Sequence, residues 1–160
     1  METLQILLTS LISFLGFLGG IILYFLVKEE VTQGRQYINL FAASIILMFS
    51  AYLFNGLGVI LPIRILLYLI LIAGLAFVKI PVFLIYPVLG LGLALSSSKG
   101  SLFFTETALI FTYGLAVGSL AALSAKRTGY GKSQQFAESL LAMAKNGLFF
   151  LPILIALLAF

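Results

Sequence analysis

The stretch Gly74–Gly90, GLAFVKIPVFLIYPVLG, decides the fold, because it sets one charge, Lys79, inside the longest apolar run of the chain. Residues 65–95 make 31 positions interrupted only by that lysine. As one helix the run would be ~46 Å long at ~1.5 Å per residue. The hydrocarbon core of a bilayer is only ~30 Å thick, and ordinary tilt does not absorb the excess. A single helix would also hold the lysine near mid-membrane, at roughly 2.5–3.5 kcal/mol. Dividing the run at Val78–Pro81 removes both problems. Pro81 has no N–H to donate, and it biases Ile80 away from helix. Lys79 then marks an interfacial turn; the alternative is a functional lysine in a broken helix.

Outward from this point the chain divides into six expected spans. The first is Leu4–Val27, followed by the polar loop 28–36, KEEVTQGRQ. Its first basic residue, Lys28, comes after the apolar run, which is not the order of a cleaved signal peptide. The second span is Tyr37–Phe54, closed by an Asn-Gly turn signal at Asn55–Gly58. The third is Val59–Val78, with Pro62 in its first turn, where a missing N–H breaks no helical bond. Arg64 lies near enough to that end to snorkel outward. The fourth is Val82–Leu95, extending to about Ser97; it is short, contains Pro87, and has a kinked or re-entrant form as its alternative. After the loop Ser96–Ser101, the fifth span is Leu102–Ala125. The loop 126–135 is the most basic, and a last helix starts near Phe136, with a kink expected at Pro152.

Charge supports this division. With six spans and the amino terminus outside, the inner loops carry Lys28, Arg35, Lys79, Lys126, Arg127 and Lys132, and the outer loops only Arg64 and Lys99. If residues 65–95 formed one broken span, giving five in all, the basic residues would divide almost evenly and orient nothing. The expected fold is therefore an all-α transmembrane bundle, a single integral membrane domain over residues 1–160. Both termini lie outside, and loops 28–36 and 126–135 are cytoplasmic.

Composition agrees. Of the 160 residues 62% are apolar and 9% charged, whereas soluble domains carry about 25% charge. Mean hydropathy is +1.23. The apolar runs do not alternate with polar residues as barrel strands do. The net charge of +4 belongs to topology and does not point to nucleic acid.

The chain lacks His, Cys, Asp and Trp. Haem, iron–sulfur and ordinary zinc ligation are thereby excluded, as are a Ser-His-Asp triad and paired-aspartate catalysis. No glycine-rich phosphate loop is present, since SSSKG lacks the preceding glycines. A serine–lysine dyad is the one formal catalytic option, and no cofactor is expected. The ionisable candidates are Glu106, Lys79, Lys145 with its neighbour Asn146, and Arg64. Glu106 reads either as an interfacial carboxylate near Arg64 or Lys99, or as an ion- or proton-binding group facing the interior. Lys145 lies either in a basic, amphipathic interfacial stretch, Gln134–Asn146, or within a helix that entered lipid near Phe136, where it needs a partner or a wet cavity.

Packing signals are clearer. Thr9, Ser13, Gly16 and Gly20 share one face of the first span, and Gly114, Gly118, Ala121 and Ala125 share one face of the fifth. Thr105, Thr112 and Ser119 lie on a different face of that span, suggesting a central position. Small residues let helix backbones approach closely in lipid, where packing drives association. Two functions from different classes follow. The first is a non-enzymatic membrane protein acting by helix association, as a homo-oligomer or a subunit of a larger membrane complex. The second is a small ion or solute transporter or channel with a polar path near Glu106, Lys79 and Lys145. A lipid-modifying enzyme stands third, because the usual acid–base residues are missing.

Overall fold

A computed structural model of the chain describes residues 3–77, 82–96, 100–126 and 131–159, with side chains over 4–74, 85–96, 100–125 and 131–155. Lys79, Pro81 and the proposed turn at Val78–Pro81 lie outside the described residues. The described residues form helices and connecting turns, with no strand. In order they are α1 (Thr3–Leu26), α2 (Lys28–Gln33), α3 (Arg35–Gly56), α4 (Leu61–Phe77), α5 (Val82–Ser96), α6 (Gly100–Lys126), α7 (Lys132–Lys145) and α8 (Phe150–Ala159). A 3-10 turn over Asn146–Phe149 joins the last two.

Four helical stretches are long and apolar enough to cross a membrane: Leu4–Leu26, Arg35–Gly56, Gly100–Ala125 and Lys132–Ile155. The other two expected spans are shorter helices, α4 with 17 residues and α5 with 15. Three local expectations are corrected: the loops at 28–36 and 55–58, and the loop 126–135, whose residues from Lys132 onward already belong to α7. The loop 28–36 contains the one-and-a-half-turn helix α2, started by Glu29 and Glu30 in its first turn, where carboxylates favour the helix dipole. Asn55 and Gly56 finish α3, and the reversal falls on Gly58, whose φ of +70° is open to glycine at little cost. The last helix breaks before Pro152, at the 3-10 turn. Pro152 cannot donate to Leu148 O, and tightening to i→i+3 bonds at Asn146–Phe149 accommodates that loss.

α6 is the axis, touching α1, α2, α3, α5 and α7. On α1, the residues Ile6, Ser10, Ser13, Phe14, Phe17, Ile21 and Tyr24 are all buried, a stripe at helical spacing. It faces α6 in parallel. A Cβ built on Gly16 would collide with the Phe111 carbonyl, and one on Gly20 with the Leu115 carbonyl. From the other side, Gly114 meets the backbone of Gly16 and Phe17, and Gly118 meets the Phe17 carbonyl. The two backbones touch over this seam, which any side chain would part.

α5 runs antiparallel to α6, pairing Ser96 with Glu106 and Tyr86 with Tyr113. α3 is also antiparallel to α6, since Gly56 meets Leu102 and Phe49 and Leu53 meet Gly92 of α5. α3 and α5 therefore point the same way, and α4 is the segment that returns the chain between them.

The surface is inverted relative to a water-soluble protein. Buried positions include Ser10, Ser13, Ser96, Glu106, Thr107, Ser119, Gln135, Ser139 and Asn146, while large apolar side chains cover the exterior. Most of the buried hydroxyls bond to carbonyls of their own helices, as Ser10 does to Ile6, Ser119 to Ala116 and Ser139 to Gln135. They need no partner across the bundle.

Candidate functional site

Among the described residues, buried side chains bond between helices at two levels of the bundle. Near the end of α6, Gln135 Nε2 donates to Ala122 O at 2.8 Å and to Tyr24 Oη at 3.1 Å. This ties α7 to α6 and α1. Near the start of α6, Ser96 Oγ stands 2.6 Å from Glu106 Oε2 and 3.0 Å from Leu93 O. Between the two levels lies an aromatic cluster of Phe14, Phe17, Tyr86, Tyr113, Phe149 and Phe150, with ring centroids 5.2–5.8 Å apart in contacts such as Phe14–Phe150 and Phe14–Tyr86.

Glu106 is the centre of interest. It is 0% exposed. Its Oε2 meets Ser96, and its Oε1 is buried without a hydrogen-bond partner. A charged carboxylate in such surroundings is expensive unless paired, yet no described cation pairs with it. α6 positions it by periodicity: Glu106, Ile110 and Tyr113 fall at i, i+4 and i+7 on one face. α5 answers with Tyr86, Leu89, Leu93 and Ser96, all buried. Glu106 is thus enclosed between α5 and α6, Arg64 is engaged at the turn between α3 and α4, and Lys99 lies outside the described residues. Leu89, Leu93 and Ile110 separate the carboxyl from the tyrosine pair below it.

The other sequence candidates are scattered. Arg64 donates from Nη2 to Val59 O at 2.8 Å and from Nη1 to Asn55 Oδ1 at 3.3 Å, so its guanidinium braces the turn between α3 and α4. Asn146 is buried; its Nδ2 donates to Ala142 O at 2.7 Å, and its Oδ1 has no partner. Lys145, one residue earlier, is exposed on the bundle's outer side and makes no ion pair with a described residue. Glu106, Lys145 and Arg64 thus do not meet in one described cluster, and Lys79 is outside the described residues. No described group of three or more acidic side chains could hold a metal ion. Gly16, Gly20, Gly114 and Gly118, by contrast, come together in one seam.

Ser96, Tyr113 and Gln135 carry no signal of their own in the sequence; Tyr86 reads there as part of an interfacial aromatic belt and instead lies buried in the aromatic cluster. Ser96 opens SSSKGS and reads as loop, and Gln135 ends a basic polar stretch. The usable signal was spacing: Gln135, Ser139, Ala142 and Asn146 form a helical stripe of small or uncharged polar residues, three of its four members buried, while the charged Lys132, Glu138 and Lys145 fall off it and are exposed. No protein-family model, curated protein or solved structure matches the chain, so the site stands on its own geometry.

Proposed function

We propose that this chain is a six-span membrane protein of the transporter or channel class, in which Glu106 is the ion-binding carboxyl. The single observation behind the reading is a fully buried carboxyl with one unpartnered oxygen and no described counter-charge. Structural roles do not need such a group. An apolar residue of similar volume would pack there without the desolvation penalty. The aromatic cluster below Glu106 serves as the closed part of the path, and Pro87, inside α5 beside Tyr86, supplies a weak point in the helix that lines it. All six apolar helices cross, both termini lie outside, and α4 and α5 are joined on the inner side at Lys79. The registers of α1, α3 and α5 against α6 favour this parity.

The test is flux in sealed proteoliposomes under an imposed membrane potential, followed with proton- and sodium-sensitive dyes. An ion flux above that of protein-free vesicles, lost in Glu106→Gln, supports the reading. Wild type indistinguishable from empty vesicles for both ions counts against it. A cysteine at position 79, in a chain with none of its own, checks the topology: impermeant thiol reagents label it from the inner side only.

The second reading is association with a second copy of the chain. It draws on α4, where no described residue is buried, and not on the glycine faces, which are consumed within the protomer. Cysteine pairs at Leu66 that fail to crosslink in native membranes would remove it.

A further inference from the structure

We propose that Glu106 is a proton site: its carboxyl is held as a neutral acid that donates to Ser96 and exchanges its proton with solvent, and no metal cation takes the proton's place. The inference deepens the transport reading by naming the ion, and rests on it only for the purpose of the exchange.

The argument is a count of donors. A serine hydroxyl carries one proton. Ser96 Oγ faces two acceptors, Glu106 Oε2 at 2.6 Å and Leu93 O at 3.0 Å, and one proton cannot serve both fully. The 2.6 Å separation suits a hydrogen bond in either direction. If Glu106 carries its own proton on Oε2, it donates to Ser96 Oγ and the serine proton is left for Leu93 O. Every proton then has an acceptor, and the only orphan is a neutral carbonyl oxygen, Oε1. If Glu106 is ionised, a full charge with about four acceptor sites is served by one shared proton at a position 0% exposed, which is far more costly.

Nothing described nearby offsets that charge. Against α6, α1 offers only Tyr24, which lies at the far level beside Gln135. α5 offers Tyr86, two turns below beside Tyr113. α3 brings Arg35 and Tyr37 to the opposite end and Tyr52 on an exposed face. α2, with Lys28, Glu29 and Glu30, and the start of α7, with Lys132 and Glu138, pack on α6 from the opposite end, and Lys145, at the other end of α7, is exposed. Arg64 of α4 is engaged with Asn55 and Val59. Glu2 and Lys99 lie outside the described residues. A calcium- or magnesium-like ion takes six or more oxygens, while among the described residues the Glu106 carboxyl, Ser96 Oγ and Leu93 O supply four. Glu106 lies six residues into α6, ~9 Å from its start, so the short route for a proton leads to that end and not through the aromatic cluster.

Infrared spectroscopy of the full chain in lipid films tests this directly. The wild-type minus Glu106→Gln difference at neutral pH is expected to show a carboxylic-acid carbonyl band above the amide I region. The band shifts on transfer to heavy water and is indifferent to sodium or potassium salts at constant pH. Ser96→Ala is expected to keep the acid band's intensity and displace its position, as loss of its hydrogen-bond partner requires. Carboxylate bands in place of the acid band overturn the proposal, as does an acid band abolished by sodium or one that never exchanges in heavy water. If Glu106→Gln does not fold, Glu106→Asp replaces it, and an acid band unmoved by that change assigns the signal elsewhere and overturns the proposal. Flux with a carboxylate band refutes the proton site and spares the transport reading; an acid band without flux does the reverse.

Discussion

α1 and α4 are both strongly apolar helices, yet one is locked into the bundle and the other lies against it. α1 meets α6 backbone to backbone through Gly16 and Gly20. α4 touches α3 near their shared turn, through Phe54–Tyr68 and Arg64–Asn55, and shows Leu66, Leu69 and Ile70 at 57–60% exposure on its outer side. Hydrophobicity does not separate them, because lipid solvates an apolar side chain as well as a protein interior does. What separates them is the residue that is small. Where Gly or Ser recurs along one face, backbones approach and dispersion contacts accumulate. α4 has no such face until Ala73 and Gly74.

The contrast is broken most severely at the seam. Gly16→Leu or Gly118→Leu forces side-chain volume against a backbone carbonyl that cannot swing away. Each is expected to cost about 3 kcal/mol or more, read as loss of folded monomer in detergent and a large fall in Tm. A smaller effect belongs to Gln135→Leu. It removes the bonds to Ala122 O and Tyr24 Oη and is expected to cost about 1 kcal/mol, measured by denaturant titration in mixed micelles. Leu66→Ala on α4 is expected to stay within about 0.5 kcal/mol of wild type. A large loss there would show that α4 is covered in the membrane and would remove the contrast. Tyr86→Phe is the mildest test. The hydroxyl is buried without a partner, so its removal leaves stability unchanged or slightly raised, visible as an equal or higher Tm.

How far the sequence reaches can be argued from the same residues. Gly16, Gly20, Gly114 and Gly118 are legible because glycine and its spacing survive in one dimension; that the two pairs face each other is not. Glu106 is legible as an anomaly, a carboxyl among apolar neighbours. Its partner is not, because Ser96 sits in a run of serines that any reader assigns to a loop, and its role depends on α5 continuing to the end of that run's first residue. Gln135 escapes for the same reason: its burial comes from the helix register against α6, not from its neighbours in the chain.

By itself the sequence determined the apolar, helical character of the chain. At 62% apolar and 9% charged it forms helices that satisfy their own backbone bonds, four of them long and apolar enough to cross a membrane, and without His or Cys it lacks the usual ligands of haem, zinc and iron–sulfur centres. The tertiary structure alone decided which apolar helix is core and which is rim. It set α6 at the centre with α1 parallel to it, and it brought Ser96 to Glu106. In lipid the hydrophobic pattern carries no information about which face meets which. That choice is made by shape and by the few polar atoms that need partners, and both exist only once the helices stand side by side.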